Sequence, residues 1–381
     1  MKRMRRAAVF GVVAAVVLAA GCGPTQLEKT RAAARERWAT SRAEIATKLA
    51  QGCFERGELG RARDHLQEAL KGDPPYAPVY LLAARLAVEK GEFDDARRYA
   101  EAARALEPEA AEIWYVLGTV HQTFDQPEEA LAAFTEAARL DPDNPAYALA
   151  QVEFLIRQGR VHEAEQRLGE AVGRTPGRAE LQVALGDLLG LLGRHEESAG
   201  SYRIAMRLAP KRQDVAERLA TALFLSGAYD EAEPLLENAA ERDGKETPAW
   251  VLRMWGESLL ATGRVREARP VLERVLEKDA GALGVHVALA KCDILENQPA
   301  SARRRLDKVL SSAPDHAEAN ALMGLLLMHS GRAGEAVPHL RLALAAPDCG
   351  EREALERLLA RARSGAERSD ETDGGLGGAS P

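Results

Sequence analysis

The sequence predicts an all-α fold, an array of paired helices running through most of the 381 residues. Three observations carry that reading. Apolar residues make up 46% of the chain and aromatic ones only 5%, so any core is built from alanine and leucine, the palette of packed helices. Small residues recur every 34 positions, and proline falls at one phase of the same interval, where each unit would end.

With position 1 at residues 43, 77, 111, 145, 179, 213, 249, 283 and 317, position 8 reads Ala50, Ala84, Gly118, Val152, Gly186, Ala220, Gly256, Ala290 and Gly324. Eight of these nine are Gly or Ala, which chance does not produce. Position 20 is alanine in every copy except Ser198, and position 27 is alanine except at Val275 and Val309. Position 32 is proline in six copies, from Pro74 to Pro314. These columns resemble the tetratricopeptide repeat (TPR) over residues 43–350. The resemblance implies a right-handed superhelical solenoid of about nine helix pairs. Each pair would be a first helix, a short turn often carrying Gly (Gly57, Gly91, Gly159, Gly193, Gly227, Gly263, Gly331), and a second helix. Small residues at positions 8, 20 and 27 let neighbouring helices approach closely, and larger ones such as Trp114, Leu117 and Phe134 fill the space between them. No repeat buries its apolar side alone, so the array stands or falls through its neighbours.

The interval slips once: residues 213 to 249 are 36 apart, which places two extra residues in "ERDGKETPAW". The Ala-rich segment after Cys22, residues 22–42, predicts an entry helix from near Leu27 that runs into the first repeat. At the other end, residues 351–363 place Leu355, Leu358 and Leu359 at helical spacing under a charged surface, as a capping helix requires. Residues 364–381 hold too few apolar side chains to fold and are expected to be disordered.

Residues 1–21 stand apart. "MKRMRR" carries four cations, and Ala7 to Ala20 is an apolar run of 14 residues, roughly 21 Å as a helix against about 30 Å of bilayer hydrocarbon. That is the layout of an export signal rather than a membrane span. The exit "LAAGC" resembles the lipobox of bacterial lipoproteins, which implies cleavage after Gly21 and acylation of Cys22. Several acyl chains anchor firmly where one binds marginally. In the same family logic Gly23, not being Asp, permits transfer to the outer membrane. The resemblance therefore places the protein at the periplasmic face of that membrane. The remaining Cys53, Cys292 and Cys349 are odd in number for an oxidising compartment and read as small buried apolar groups; whether any form disulfides stays open.

The chemistry searched for is not there. "HEAE" at His162 and "HEES" at His195 begin like a metalloprotease motif, but Gln166 and Ala199 stand where a second histidine is needed. No nucleophile elbow, phosphate loop or Cys-x-x-Cys occurs. No cofactor, metal, catalytic residue or small-molecule substrate is expected, and enzymatic activity is only a remote alternative. A formal net charge of −7, with no basic stripe in the body of the chain, speaks against nucleic acid.

Function is expected where first helices line the groove. In this family positions 2, 5, 9, 12 and 13 point into it, which here selects Leu81, Arg85, Tyr115, Leu149, Glu153, Asp187, Glu217, Phe224, Trp250, Arg253 and Glu257. An apolar track from Leu81 onward beside acids suits a protein partner presenting an extended segment or an amphipathic helix with a basic edge. Two readings of Trp250 stay open: an anchor for that partner, or local core beneath the inserted "GKET". Lipoproteins of this layout include pilotins of the type IV pilus, so the expectation is an anchored scaffold for an envelope complex such as a pilus or secretion apparatus. An assembly factor for exopolysaccharide export and an adaptor for envelope hydrolases are the alternatives.

Overall fold

The structure, a computed structural model, describes residues 26–71, 75–346 and 352–374. Cys22, the export signal and Cys349 lie outside them. All regular structure among the described residues is helical, with no strand. The first four helix pairs are α1 (Gln26–Glu55) with α2 (Leu59–Leu70), α3 (Ala77–Glu89) with α4 (Phe93–Leu106), α5 (Ala111–Thr123) with α6 (Pro127–Leu140), and α7 (Pro145–Arg157) with α8 (Val161–Arg174). Three more are α9 (Ala179–Leu191) with α10 (His195–Leu208), α11 (Gln213–Leu225) with α12 (Tyr229–Asp243), and α13 (Ala249–Ala261) with α14 (Val265–Lys278). The last are α15 (Leu283–Leu295) with α16 (Pro299–Ser312) and α17 (Ala317–His329) with α18 (Ala333–Ala345), followed by α19 (Arg352–Gly374). The fold is an all-α solenoid. The chain divides into two compact units, Met1–Leu181 and Gln182–Pro381.

In both units the small-residue columns are contact points between helices. Every position-20 side chain, from Ala62 to Ala336, is essentially inaccessible. At position 8 the reason for glycine is visible. A Cβ on Gly118 would sit 2.7 Å from the Phe134 ring, and one on Gly186 would sit 2.6 Å from Tyr202. Gly256 meets Leu272 and Gly324 meets Leu340 in the same way. The large partner is always the position-24 residue of the same repeat, so bulk lacking on the first helix is supplied by the second.

The turns obey one backbone rule. Seven carry glycine at φ between 71° and 81°, and at the two remaining places Asp125 (φ 54°) and Asn297 (φ 57°) take the same left-handed conformation. Asn and Asp are the residues that tolerate it best after glycine. The following amide then closes the helix: Glu58 N–H donates to Cys53 O at 2.9 Å and Gln126 N–H to His121 O at 3.0 Å.

The two extra residues near 245 form a short 3-10 turn, Gly244–Glu246. Thr247 is fully buried there, its hydroxyl donating to Ala240 O (3.0 Å) and Gly244 O (2.7 Å). The turn is also held from α14, by Arg274 to Gly244 O at 3.0 Å and Lys278 to Lys245 O at 2.8 Å.

At the C-terminus Leu359 and Ala362 of α19 are buried with Leu340 and Met323. This helix continues through Gly374, beyond residue 363, where the capping helix was expected to end. A Cβ on Gly365 would come within 2.9 Å of the Ala333 methyl, so a glycine lets α18 and α19 stay close at that point. No helix among the described residues is long and apolar enough to cross a membrane.

Candidate partner-binding site

In the first unit, Leu81 and Arg85 project from α3 into a cleft of about 350 Å³ that also takes in Gln51 and Glu55 of α1 and Glu112 of α5. Arg85 is held on two sides, with its guanidinium 5.2 Å from the Phe54 ring centre and 2.9 Å from Glu112 Oε1. Tyr115 is the exposed member of an aromatic row. Its ring lies 5.7 Å from Tyr147 and 6.0 Å from Phe134, and Phe134 in turn lies 5.8 Å from Phe154. Leu149 is half-buried, and Glu153 is exposed with Arg157 at 3.7 Å.

In the second unit, a cleft of about 430 Å³ is bounded by Tyr202, Glu217, Arg218, Thr221, Leu225 and Trp250. Trp250 is 40% exposed. None of Gly244–Thr247 lines this cleft with it; Thr247 turns inward and the backbone beside it is tied to α14. A second cleft of about 670 Å³ contains Phe224, Arg253, Glu257, Lys291 and Glu318, with Phe224 edge-on to Tyr229 at 5.5 Å. Both clefts combine apolar walls with charges already matched inside the chain.

That matching corrects the acidic patch expected from sequence. Asp187 accepts from the Tyr202 hydroxyl at 2.6 Å and pairs with Arg218. Glu217 pairs with Arg242 at 2.6 Å, Glu257 with Arg253 at 3.1 Å, and Glu153 with Arg157. Burial first, and then Asp187, push the Tyr202 phenol well above its ordinary range, so it stays a hydrogen-bond donor. The patch is therefore a row of ion pairs, and a basic edge on the partner has no unmatched acid among these four to meet. Among the described residues no group of three or more His, Cys, Asp or Glu is placed to hold a metal ion.

Profiles described as tetratricopeptide repeat match residues 123–188 and 259–326, and residues 81–145 and 183–248, together more than half of the chain. The chain belongs to the tetratricopeptide repeat family. It is similar to the TPR repeat-containing protein YpiA of Bacillus subtilis, 25% identical over 281 residues, which are 73% of this chain and 66% of YpiA. It is also similar to the human protein O-mannosyl-transferase TMTC1, 29% identical over 131 residues, 34% of this chain and 14% of that one. The match thus spans just under two thirds of YpiA and a small part of TMTC1. Solved structures of like fold include a tetratricopeptide repeat protein from Parabacteroides merdae (16% identity, 66% of this chain, 98% of that chain, TM-score 0.45). Another is the pilF protein of Pseudomonas aeruginosa (21% identity, 56% of this chain, 97% of that chain, TM-score 0.43). Tetratricopeptide repeats are scaffolds that generally bind protein partners.

The residues that sequence reasoning missed are the countercharges: Arg218 at position 6 of its tetratricopeptide repeat, Arg242 at position 30 and Glu112 at position 2. One signal could have found a part of them. A position-9 cation pairs with the position-2 acid of the next tetratricopeptide repeat in both units, as Arg85 with Glu112 and Lys291 with Glu318, always 27 residues apart.

Proposed function

We propose that this tetratricopeptide protein is a scaffold that seats an extended or amphipathic helical segment of a partner protein along its first helices, with the Trp250 cleft as the anchor point. The observation that carries this is a tryptophan 40% exposed in a cleft it shares with Tyr202, Glu217 and Arg218, the last two held by Arg242 and Asp187. A large ring left partly open to water costs solvation, and buried tryptophan and arginine dominate binding surfaces. Trp250→Ala should leave the melting temperature within a degree or two and abolish capture of the partner, since the exposed ring carries little of the fold. Loss of about 3 to 5 kcal/mol of stability would assign the ring to the core instead. A stable variant with undiminished capture would move the anchor to Tyr115 and Leu149.

The finer reading is that Cys22 is acylated and holds this scaffold at the periplasmic face of the outer membrane, where it serves assembly of an envelope complex such as a pilus or secretion apparatus. It is supported by the short apolar run and "LAAGC". Cys22→Ser should release a folded protein into the soluble periplasmic fraction. A variant that still sediments with membranes through high salt and carbonate would sink the anchor.

A further inference from the structure

The entry helix α1 carries an apolar stripe that nothing in the described chain covers. Leu27 is 59% exposed, Trp38 74%, Ile45 61% and Leu49 52%. At 3.6 residues per turn these four fall within about 40° of one another around the helix. They lie on one line, while Ala43, Ala50 and Cys53 face the core from another side. Every residue from Gln26 to Trp38 is exposed, over about 20 Å of helix. A lone segment of that length is marginal in water unless something meets its apolar side.

The charges around the stripe say what meets it. Arg31, Arg35 and Arg42 fall within about 40° of its edge, Lys48 and Glu28 each stand about 60° from it, and Glu36 and Glu44 lie farther round the helix. Arg42 also reaches Glu68 at 3.3 Å, with both side chains largely exposed. From Gln26 to Leu49 there are six cations against three acids, on a chain whose formal net charge is −7. An antiparallel second copy would bring these cationic borders against each other, which costs free energy. An anionic surface would meet them favourably, with the long side chains reaching up to headgroups while the apolar stripe sinks between acyl chains. Tryptophan, which this stripe carries at Trp38, is the residue most at home at a bilayer interface.

We propose that α1 lies on an anionic membrane surface, with Leu27, Trp38, Ile45 and Leu49 as its buried line and Arg31, Arg35 and Arg42 as its headgroup contacts. This does not rest on acylation of Cys22, although that residue, four before Gln26, would hold the helix start within about 14 Å of a bilayer.

The test is hydrogen exchange by mass spectrometry on the full chain, read locally over Gln26–Trp38. Three conditions are compared: no vesicles, neutral phosphatidylcholine vesicles, and vesicles with about one third phosphatidylglycerol. Exchange over this segment should slow at least about tenfold on the phosphatidylglycerol vesicles and remain fast in the other two. A W38S/I45S variant, both positions being exposed, should keep the fold by circular dichroism and lose the protection. Fast exchange on all vesicles overturns the proposal, and so does equal slowing on neutral vesicles, which would reflect attachment through residues 1–25 alone. Slow exchange without vesicles also overturns it, and its dependence on protein concentration would then separate a second copy from the apolar run Ala7–Ala20 as the cover. Because the readout is confined to α1, it fails or succeeds independently of the Trp250 and Cys22 tests.

Discussion

Gly118→Ala adds one methyl group where the structure leaves no room for it. Its Cβ would stand 2.7 Å from two carbons of the Phe134 ring and 3.0 Å from a third. The ring cannot step aside easily, because it is 3% exposed and held between Tyr115 and Phe154. Overpacking of this kind costs about 2 to 3 kcal/mol, and alanine returns up to about 1 kcal/mol through its better helix propensity. A net loss of about 1 to 3 kcal/mol follows from those two terms. Gly169→Ala is the control: it lies within α8 with no atom near its missing Cβ, so only propensity acts and stability should rise by about 0.5 to 1 kcal/mol. The structure also names the rescue. Three repeats pair alanine at position 8 with leucine at position 24 (Ala50 with Leu66, Ala220 with Leu236, Ala290 with Leu306), so Gly118→Ala combined with Phe134→Leu should cost less than the sum of the two changes. Urea unfolding followed by circular dichroism, with hydrogen exchange in α5 and α6, measures all four proteins. The reasoning is refuted if Gly118→Ala and Gly169→Ala shift the midpoint in the same direction by similar amounts.

Asp293 is 1% exposed and gripped by Arg269 at 2.9 Å and Arg305 at 3.0 Å, so Asp293→Ala leaves two cations without their buried partner. It should cost about 3 kcal/mol by urea unfolding, the low end for a broken buried pair because both arginines reach some water. His286 and His339 are both held below their ordinary value of 6.5, chiefly by burial, and for His286 also by Lys308. The unfolded chain therefore binds more protons below about pH 6.5, and the stability present above that value drains away as pH falls towards the folded values. The melting temperature should drop between about pH 7.5 and pH 5.5, and a His286→Gln, His339→Gln variant should flatten that slope. Burial likewise pushes the Cys292 thiol up to about 11, so it should resist thiol reagents until the chain unfolds.

The paired helices were legible in the sequence because close packing is written in residue size: a column of Gly and Ala at positions 8 and 20 has no other economical use in a helix. The turn rule was legible at seven glycines, and Asp125 and Asn297 completed it only once their backbone was seen. The site was less legible because two of its acids, Asp187 and Glu217, are matched by residues from a neighbouring helix, whereas Glu153 and Glu257 pair four residues away on their own helices. Asp187 looked unpartnered along its own helix, and its countercharge Arg218 lies 31 residues on. Trp250 was ambiguous for a related reason: whether "GKET" covers it depends on which way Thr247 turns, and no periodicity encodes that. The stripe on α1 was hidden because the helix packs on one side through alanines and exposes bulk on another, so its apolar pattern points nowhere in particular.

The same ion pairs set the character of partner binding. The sequence suggested a basic-edged partner drawn to four acids, and such binding would weaken steeply with salt. In the structure each of those acids already has an arginine, so a charged partner must displace an internal pair and gains little by doing so. These pairs are partly exposed and each contributes at most about 1 kcal/mol, which makes them fixtures of groove shape more than sources of attraction. What remains to drive association is apolar: the Trp250 ring and Leu225 in one cleft, and Phe224, Leu322 and Leu325 in the next. Affinity for the partner should therefore change less than about threefold between about 50 and 500 mM salt, although surface charges are heavily screened over that range. Calorimetry at the two salt concentrations decides it. A tenfold or greater loss at high salt would mean that unpaired charges, not the tryptophan cleft, carry the contact.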